Sequence, residues 1–169
     1  KGTNRSQFFR GMIDKYSWVD LGSSYLMNDI SAAYLWGNLE KSMDINHFRL
    51  NIWNKYYELL EHLEKKQLID LPKIPQNCIH NAHMFYLKVK DLKTRSMLIE
   101  YLKQNNISSV FHYVPLHSAP AGKKYGRFEG ADEFTTSESE KIIRLPMYYG
   151  LNLVSIKKIC ETIELFFKN

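Results

Sequence analysis

Cysteine is nearly absent. Cys78 and Cys160 are the only two in 169 residues. They lie far apart and in no C-x-x-C pair, which excludes a disulfide scaffold and a cysteine-rich zinc module. Two reduced thiols fit a cytoplasmic protein. No apolar run approaches the roughly 20 residues of a membrane-spanning helix, and no stretch has the basic-then-apolar order of a secretory signal. Blocks of one charge are missing too. The net charge of +5 would permit a polyanionic partner, but the lysines are scattered, so they read as a solvated surface rather than a nucleic-acid face. The chain has no G-x-x-x-x-G-K-[ST] and no G-x-G-x-x-G phosphate-binding motif. "LGSSYL" lacks the second glycine of a hydrolase G-x-S-x-G elbow. Internal repeats and low-complexity segments are also lacking.

What is present suffices for a core. Hydrophobic residues make up 44% and aromatics 14%, enough for one domain or one domain plus an extension. A charged fraction of 24% is ordinary and argues against disorder. The opening "KGTNRSQFFRGMIDKYSWVD" has no helical period and no cap. It reads as a loop entering mid-protein, and the chain is expected to be a piece of something longer. In "SYLMNDISAAYLWGNLEK", Asn28 or Asp29 can cap a helix. From Ile30 to Leu39 that helix is apolar or small on all sides, which predicts burial all round. A missing domain or a second subunit would supply the cover.

A longer helix follows, with Phe48, Ile52, Tyr56, Leu60 and Leu63 on one stripe and Lys65 and Lys66 at its cation-favouring end. Pro72 and Pro75 mark a connector. "HNAHMFYLKVKD" alternates as a strand with His83, Phe85, Leu87 and Val89 inward. "KTRSMLIEYLKQNN" is a helix capped by Thr94 and stopped near Asn105 or Asn106, with Met97, Leu98, Tyr101 and Leu102 inward. "ISSVFHYVPLH" gives a second strand, so strand, helix and strand form a crossover unit. Residues 118–134 read as a long loop, of the kind usually tied to function. Thr135 and Glu138 have capping-box spacing. A third strand or extended segment is "IIRLPMYY", and a last helix has Ile156, Ile159, Ile163 and Phe166 on one stripe. The expected architecture is α/β: strands 80–90, 107–114 and 142–148 in a small layer covered by helices and preceded by a long helix.

Candidate chemistry is thin on these grounds. His112 and His117 in "VFHYVPLHSAP" are separated by Pro115 and cannot share a helix face. A zinc site would need further ligands nearby, and the loose group Cys78, His80 and His83 loses His83 to the buried strand face. The histidines read instead as substrate contacts at a strand end, against the plainer reading of surface residues. Arg5 and Arg10 lie among aromatics in a polar loop, a setting suited to phosphate or carboxylate recognition.

The motifs "GSSYLMNDISAAYLWGNLEK", "NAHMFYLKV", "FHYVPLHSAP" and "RLPMYYGL" occur in the order seen in the DegT-type sugar-nucleotide aminotransferases, fold-type I enzymes dependent on pyridoxal phosphate (PLP). The chain resembles that family along nearly its whole length. The family pattern runs roughly G-[YF]-N-x-R-[ML]-x-[ED]-[LIM]-x-A-A, then Y-x-P-L-H, then L-P-[LM]-[FY]. Here Ser24 stands at the Asn position and Leu26 at the Arg position. The resemblance implies the C-terminal portion only: 1–43 as the end of the large PLP-binding domain, 44–70 as a connecting helix, and 71–169 as the small α/β domain. It implies amino transfer from glutamate to the C4 keto group of a dTDP-4-keto-6-deoxyhexose, at an active site shared across a homodimer. The Schiff-base lysine motif of the large domain is not in this sequence, so no residue here is assigned as catalytic. By the same resemblance Ser24 reaches the neighbouring subunit's cofactor phosphate, and Arg5, Arg10, Tyr25, His112 and His117 contact substrate. Neither nucleic acid nor a metal is implied. The rival expectation is a non-catalytic nucleotide-sugar-binding or assembly module. In that case the apolar helix over 30–39 should be covered within the chain.

Overall fold

The computed structural model describes residues 2–15, 17–23 and 25–168, which form two compact units, 1–42 and 43–169. In the first unit, helix α1 (Arg5–Phe9) and helix α2 (Asp29–Glu40) are joined by an irregular segment. The opening is therefore not all loop. Thr3 and Trp18 pair as an isolated antiparallel bridge, and the Asn4 side chain accepts from Ser17 N at 2.8 Å. Together they fold the strand of chain after α1 back on itself. Gly2 is required there: its φ is +65°, and a Cβ would lie 1.8 Å from the Asp20 carbonyl oxygen.

Helix α2 begins where the sequence places it. The Asn28 side chain accepts from Ser31 N at 2.9 Å, an ordinary N-cap. Its expected burial is not supplied within the chain. No α2 residue is buried, and Ile30, Tyr34 and Trp36 are 85%, 78% and 67% exposed.

The second unit holds the core. Helix α3 (Ser42–Lys65), strand β1 (Phe85–Lys88), helix α4 (Leu92–Gln104), strand β2 (Val110–Phe111), helices α5 (Pro120–Tyr125) and α6 (Thr135–Ser139), strand β3 (Ile142–Leu145) and helix α7 (Leu153–Lys168) follow in order. The sheet order is β1-β3-β2, with β3 antiparallel to both neighbours. β1 and β2 therefore run parallel with α4 as their crossover and β3 inserted between them, a split βαβ arrangement. Phe85, Leu87, Ile143 and Leu145 turn to one face and are all buried. They join Ile52, Tyr56, Leu60 and Leu63 of α3, Leu98 and Leu102 of α4, and Ile156, Ile159 and Ile163 of α7 in one cluster. Phe48 and Phe166 flank it, partly buried.

Several local expectations change. His83 is exposed, because Ala82 takes a left-handed φ of +51° and breaks the alternation before the strand starts. Arg49 of α3 holds that turn by donating to the Ala82 and His83 carbonyls. The second strand shrinks to two residues because Asn106 and Tyr113, with φ of +61° and +53°, end extended backbone on either side. The α4 cap is Asp91, whose carboxylate accepts from Thr94 N at 2.7 Å; Asn105 closes the helix. Met97 is 53% exposed, at the edge of the stripe set by Leu98 and Leu102. Thr135 and Glu138 make no capping box: Phe134 is the N-cap residue, and Glu138 is drawn to Lys88 at 2.7 Å and Lys141 at 3.0 Å. The 118–134 segment contains α5 rather than loop alone. That helix can close on the preceding turn because residue 122 is glycine, where a Cβ would meet the Leu116 carbonyl oxygen at 1.6 Å.

Tyr56 ties α3 to the sheet. Its ring stacks on Phe85 with centroids 5.0 Å apart, and its hydroxyl donates to the Pro146 carbonyl at 2.9 Å. Burial pushes the phenol well above its usual range, with Cys160 and Tyr148 adding to the effect, so the hydroxyl stays protonated as the donor. Tyr56→Phe keeps the stack and leaves a carbonyl without its donor. The expected loss is about 1–2 kcal/mol of stability in chemical denaturation, against about 3–5 kcal/mol for Tyr56→Ala, by analogy with core aromatic truncations.

Candidate functional site

In the first unit, a pocket of about 670 Å³ is lined by Thr3, Arg5, Ser6, Phe9, Ser23, Tyr25 and Leu26. Arg5, the first residue of α1, lies with its guanidinium 5.0 Å from the Phe9 ring centroid, an arrangement that orients the fork. Tyr25 is 94% exposed yet lines the same pocket. Arg10 is the exposed C-cap residue of α1, its backbone N–H donating to Ser6 O at 3.2 Å. The structure thus brings Arg5 and Tyr25 to one pocket and leaves Arg10 off its lining. Ser24 lies outside the described residues.

In the second unit the two histidines have separate surroundings. His112 follows β2 and is half-buried. Its ring is 5.0 Å from that of Tyr113, and its Nδ1 is buried without a hydrogen-bond partner. His117 sits within a turn in which Ser118 N and Ala119 N donate to the Pro115 carbonyl, both at 3.2 Å. Its Nε2 is 2.7 Å from Asp132 Oδ2, and its ring packs on Phe128 at 4.3 Å. Thr136 completes the group, donating its backbone N–H to Asp132 Oδ1 at 3.1 Å and its hydroxyl to Oδ2. The result is a clasp that pins both ends of the 117–136 segment. Sequence spacing alone gave no sign of the Asp132 partner, fifteen residues on. Of the other histidine group, His80 packs edge-on to Trp53 at 4.6 Å and Cys78 meets Asn77, so these residues do not converge.

Against this geometry, the sequence profile of the DegT/DnrJ/EryC1/StrS aminotransferase family matches residues 2–164. The chain belongs to that family. It is 27% identical over 157 residues to the dTDP-3-amino-3,6-dideoxy-alpha-D-galactopyranose transaminase of Aneurinibacillus thermoaerophilus, covering 91% of this chain and 40% of that protein. It is 32% identical over 138 residues to an uncharacterised protein of Methanocaldococcus jannaschii, covering 79% of this chain and 35% of that one. Among solved structures, a DegT/DnrJ/EryC1/StrS aminotransferase from Brucella abortus superposes with a TM-score of 0.77 at 27% identity, covering 98% of this chain and 43% of that one. The fold is that of the fold-type I aminotransferases. The chain spans about two fifths of the length of these relatives.

The clasp has a pH signature. The Thr136 hydroxyl and then its N–H, with His117 as a smaller contributor, hold the Asp132 carboxyl below the usual carboxylate range. A depressed folded-state value means that the clasp's contribution is present above the unfolded carboxylate range and is lost as pH falls through the folded value. The Thr136 amide resonance is therefore expected to move on acidification in the wild-type chain. In Asp132→Asn it should be displaced already at neutral pH and show no acid transition. An unchanged acid transition in that variant would place the titration elsewhere.

Proposed function

We propose that the chain is the C-terminal portion of a PLP-dependent aminotransferase that passes an amino group from glutamate to the C4 keto group of a dTDP-4-keto-6-deoxyhexose. The reading is specific to the dTDP-4-amino-4,6-dideoxygalactose transaminase of enterobacterial common antigen biosynthesis, a route to cell-surface polysaccharide. Family membership supports amino transfer to a sugar, and the relative from Aneurinibacillus thermoaerophilus, by its name a dTDP-amino-sugar transaminase, supports the nucleotide. In this reading residues 1–43 end a large domain, 44–70 connect, and 71–169 form the small domain.

The observation that carries the proposal over a free-standing nucleotide-sugar-binding or assembly module is α2. A self-sufficient module would cover its apolar helix, whereas Ile30, Tyr34, Trp36 and Leu39 are all exposed, at 57% or more. Exposed apolar surface on this scale marks an interaction face. It supports α2 as buried by the rest of a larger enzyme and its homodimer.

The donor set of the first unit fits phosphate-bearing ligands: hydroxyls of Thr3, Ser6 and Ser23 and the Arg5 guanidinium line one pocket, with no carboxylate among them. PLP, when bound, supplies the electron sink for amino transfer. In the proposal Ser24 donates one hydrogen bond to the neighbouring subunit's cofactor phosphate. Arg5, Arg10, Tyr25, His112 and His117 contact the nucleotide-sugar substrate. The lysine that holds and moves the proton is assigned to the large domain.

Incubation with PLP and borohydride is expected to label no single lysine of the isolated chain stoichiometrically, and the chain should not convert glutamate and a dTDP-4-keto-6-deoxyhexose. A polypeptide that also contains the remainder of the relatives' length should do so. In it Arg5→Ala removes charge-assisted hydrogen bonds worth about 1.5–3 kcal/mol, roughly ten- to hundredfold in kcat/KM. Stoichiometric labelling of one lysine in the isolated chain would overturn the assignment. Tight dTDP-sugar binding without turnover by the longer polypeptide would favour the binding module.

A further inference from the structure

Asp132 does more than close the 117–136 segment. One residue orients both of its oxygens: Thr136 donates its backbone N–H to Oδ1 at 3.1 Å and its hydroxyl to Oδ2. Those bonds, the hydroxyl first, hold the carboxyl below the usual carboxylate range. At neutral pH Asp132 is therefore ionised, and an ionised carboxylate only accepts. His117 Nε2 lies 2.7 Å from Oδ2 and 3.4 Å from the Thr136 hydroxyl oxygen. That hydroxyl has one proton, already given to Asp132, so towards the ring it too only accepts.

Two acceptors thus face Nε2. In a neutral imidazole one nitrogen carries the proton and the other accepts. The proton is placed on Nε2, and Nδ1 is left as the acceptor. Both hydrogen bonds of the ring are made at Nε2, and among the described residues none is made at Nδ1. Turning the ring over would set a C–H against the carboxylate, and Phe128 packs on its face with centroids 4.3 Å apart. His62 also meets a carboxylate, Glu164, but at 3.4 Å, with its side chain 43% exposed against 18% for His117, and Glu164 is shared with Lys168. An acceptor nitrogen selects what it meets. It takes a hydroxyl or an N–H, and it disfavours a keto oxygen or an ionised phosphate, whose oxygens only accept.

We infer that Asp132 is a positioning residue that fixes His117 as the Nε2–H tautomer, so that His117 accepts a hydrogen bond at Nδ1 from a hydroxyl of the sugar and does not serve the diphosphate. The inference rests on the proposed reading in which His117 contacts the nucleotide-sugar substrate. The tautomer itself needs neither substrate, cofactor nor turnover, so its failure and the failure of that reading are separately visible.

The tautomer is read on the full chain by long-range proton–nitrogen NMR correlation of the histidine rings, with His117 assigned through His117→Gln. On the neutral ring the wild type is expected to show a protonated Nε2 and an unprotonated Nδ1. An Asn at 132 can satisfy the Thr136 N–H only through its carbonyl, which leaves its amide N–H groups opposite the ring. Asp132→Asn is therefore expected to move the proton to Nδ1, the wrong-tautomer effect known for the same exchange at a His–Asp pair. Thr136→Ala keeps the carboxylate and should keep the proton on Nε2, which holds the test open if Asp132→Asn folds poorly. In the longer polypeptide, Asp132→Asn should weaken binding of the dTDP-4-keto-6-deoxyhexose about tenfold and leave binding of dTDP, which lacks the sugar, unchanged. A protonated Nδ1 in the wild type or in Thr136→Ala would overturn the inference. So would an unmoved proton in Asp132→Asn, or equal effects of that variant on the two ligands.

Discussion

The second unit hangs on the packing of Tyr56 between α3 and the sheet. One side chain stacks on Phe85 of β1 and donates to the carbonyl of Pro146 just after β3, so one helix position reads two strands at once. The rest of α3 follows from that anchor. With Tyr56 fixed, Ile52, Leu60 and Leu63 meet the same core at helical spacing, and Trp53 reaches Phe85 from the adjacent position. Arg49, two turns earlier, then lies within reach of the Ala82 turn. The turn in turn sets which residues of β1 face inward. A long helix thus fixes the register of a short sheet that has only four paired positions in β1 and two in β2. Three short strands would be marginal without such cover.

The two units resolve their apolar surface in opposite ways. In 43–169, apolar stripes on α3, α4 and α7 close on one sheet face and form a continuous core. In 1–42, the aromatic and aliphatic residues of α2 find no such closure and stay exposed. Nothing in the local chemistry of α2 makes it a surface helix: it is capped by Asn28 and steadied by Trp36 donating to Glu40 at 3.0 Å, but its faces are alike. A helix of this kind is stable in water only beside something else. The same physical fact explains why family membership, rather than the local structure, is needed to say what it serves.

Periodicity made the large elements legible. The buried stripes of α3 and α7, the inward pair Phe85 and Leu87, and the crossover from β1 through α4 to β2 are all readable from spacing, because burial repeats with the geometry of the element. What spacing could not show are events decided by single backbone angles or by distant partners. A left-handed Ala82 turns His83 outward. Asp91 takes the cap that Thr94 could have taken. Glu138 leaves a favourable capping position for Lys88, fifty residues away. α1 and α5 were hidden because helices of five and six residues are too short to display a period. The order of the sheet was hidden too, since the place of β3 between its neighbours depends on a long-range pairing.

The "VFHYVPLHSAP" stretch shows how far residue chemistry alone carries. Its two histidines look equivalent in sequence, yet the fold separates their circumstances. His117 is engaged by Asp132, Thr136 and Phe128, so its ring is a structural fastener for the segment that follows, and any ligand must accept it in that orientation. His112 keeps a partnerless ring nitrogen beside Tyr113, whose other neighbour is the unpaired Arg144. Tyr113 itself is held at a φ of +53°, a conformation that costs a non-glycine residue about 1 kcal/mol or more. That backbone cost, with two unsatisfied polar groups beside the same ring, concentrates unmet hydrogen-bonding capacity at the end of β2. The end of β2, rather than the His117 clasp, is therefore the part of this stretch with buried hydrogen-bonding groups left unpaired.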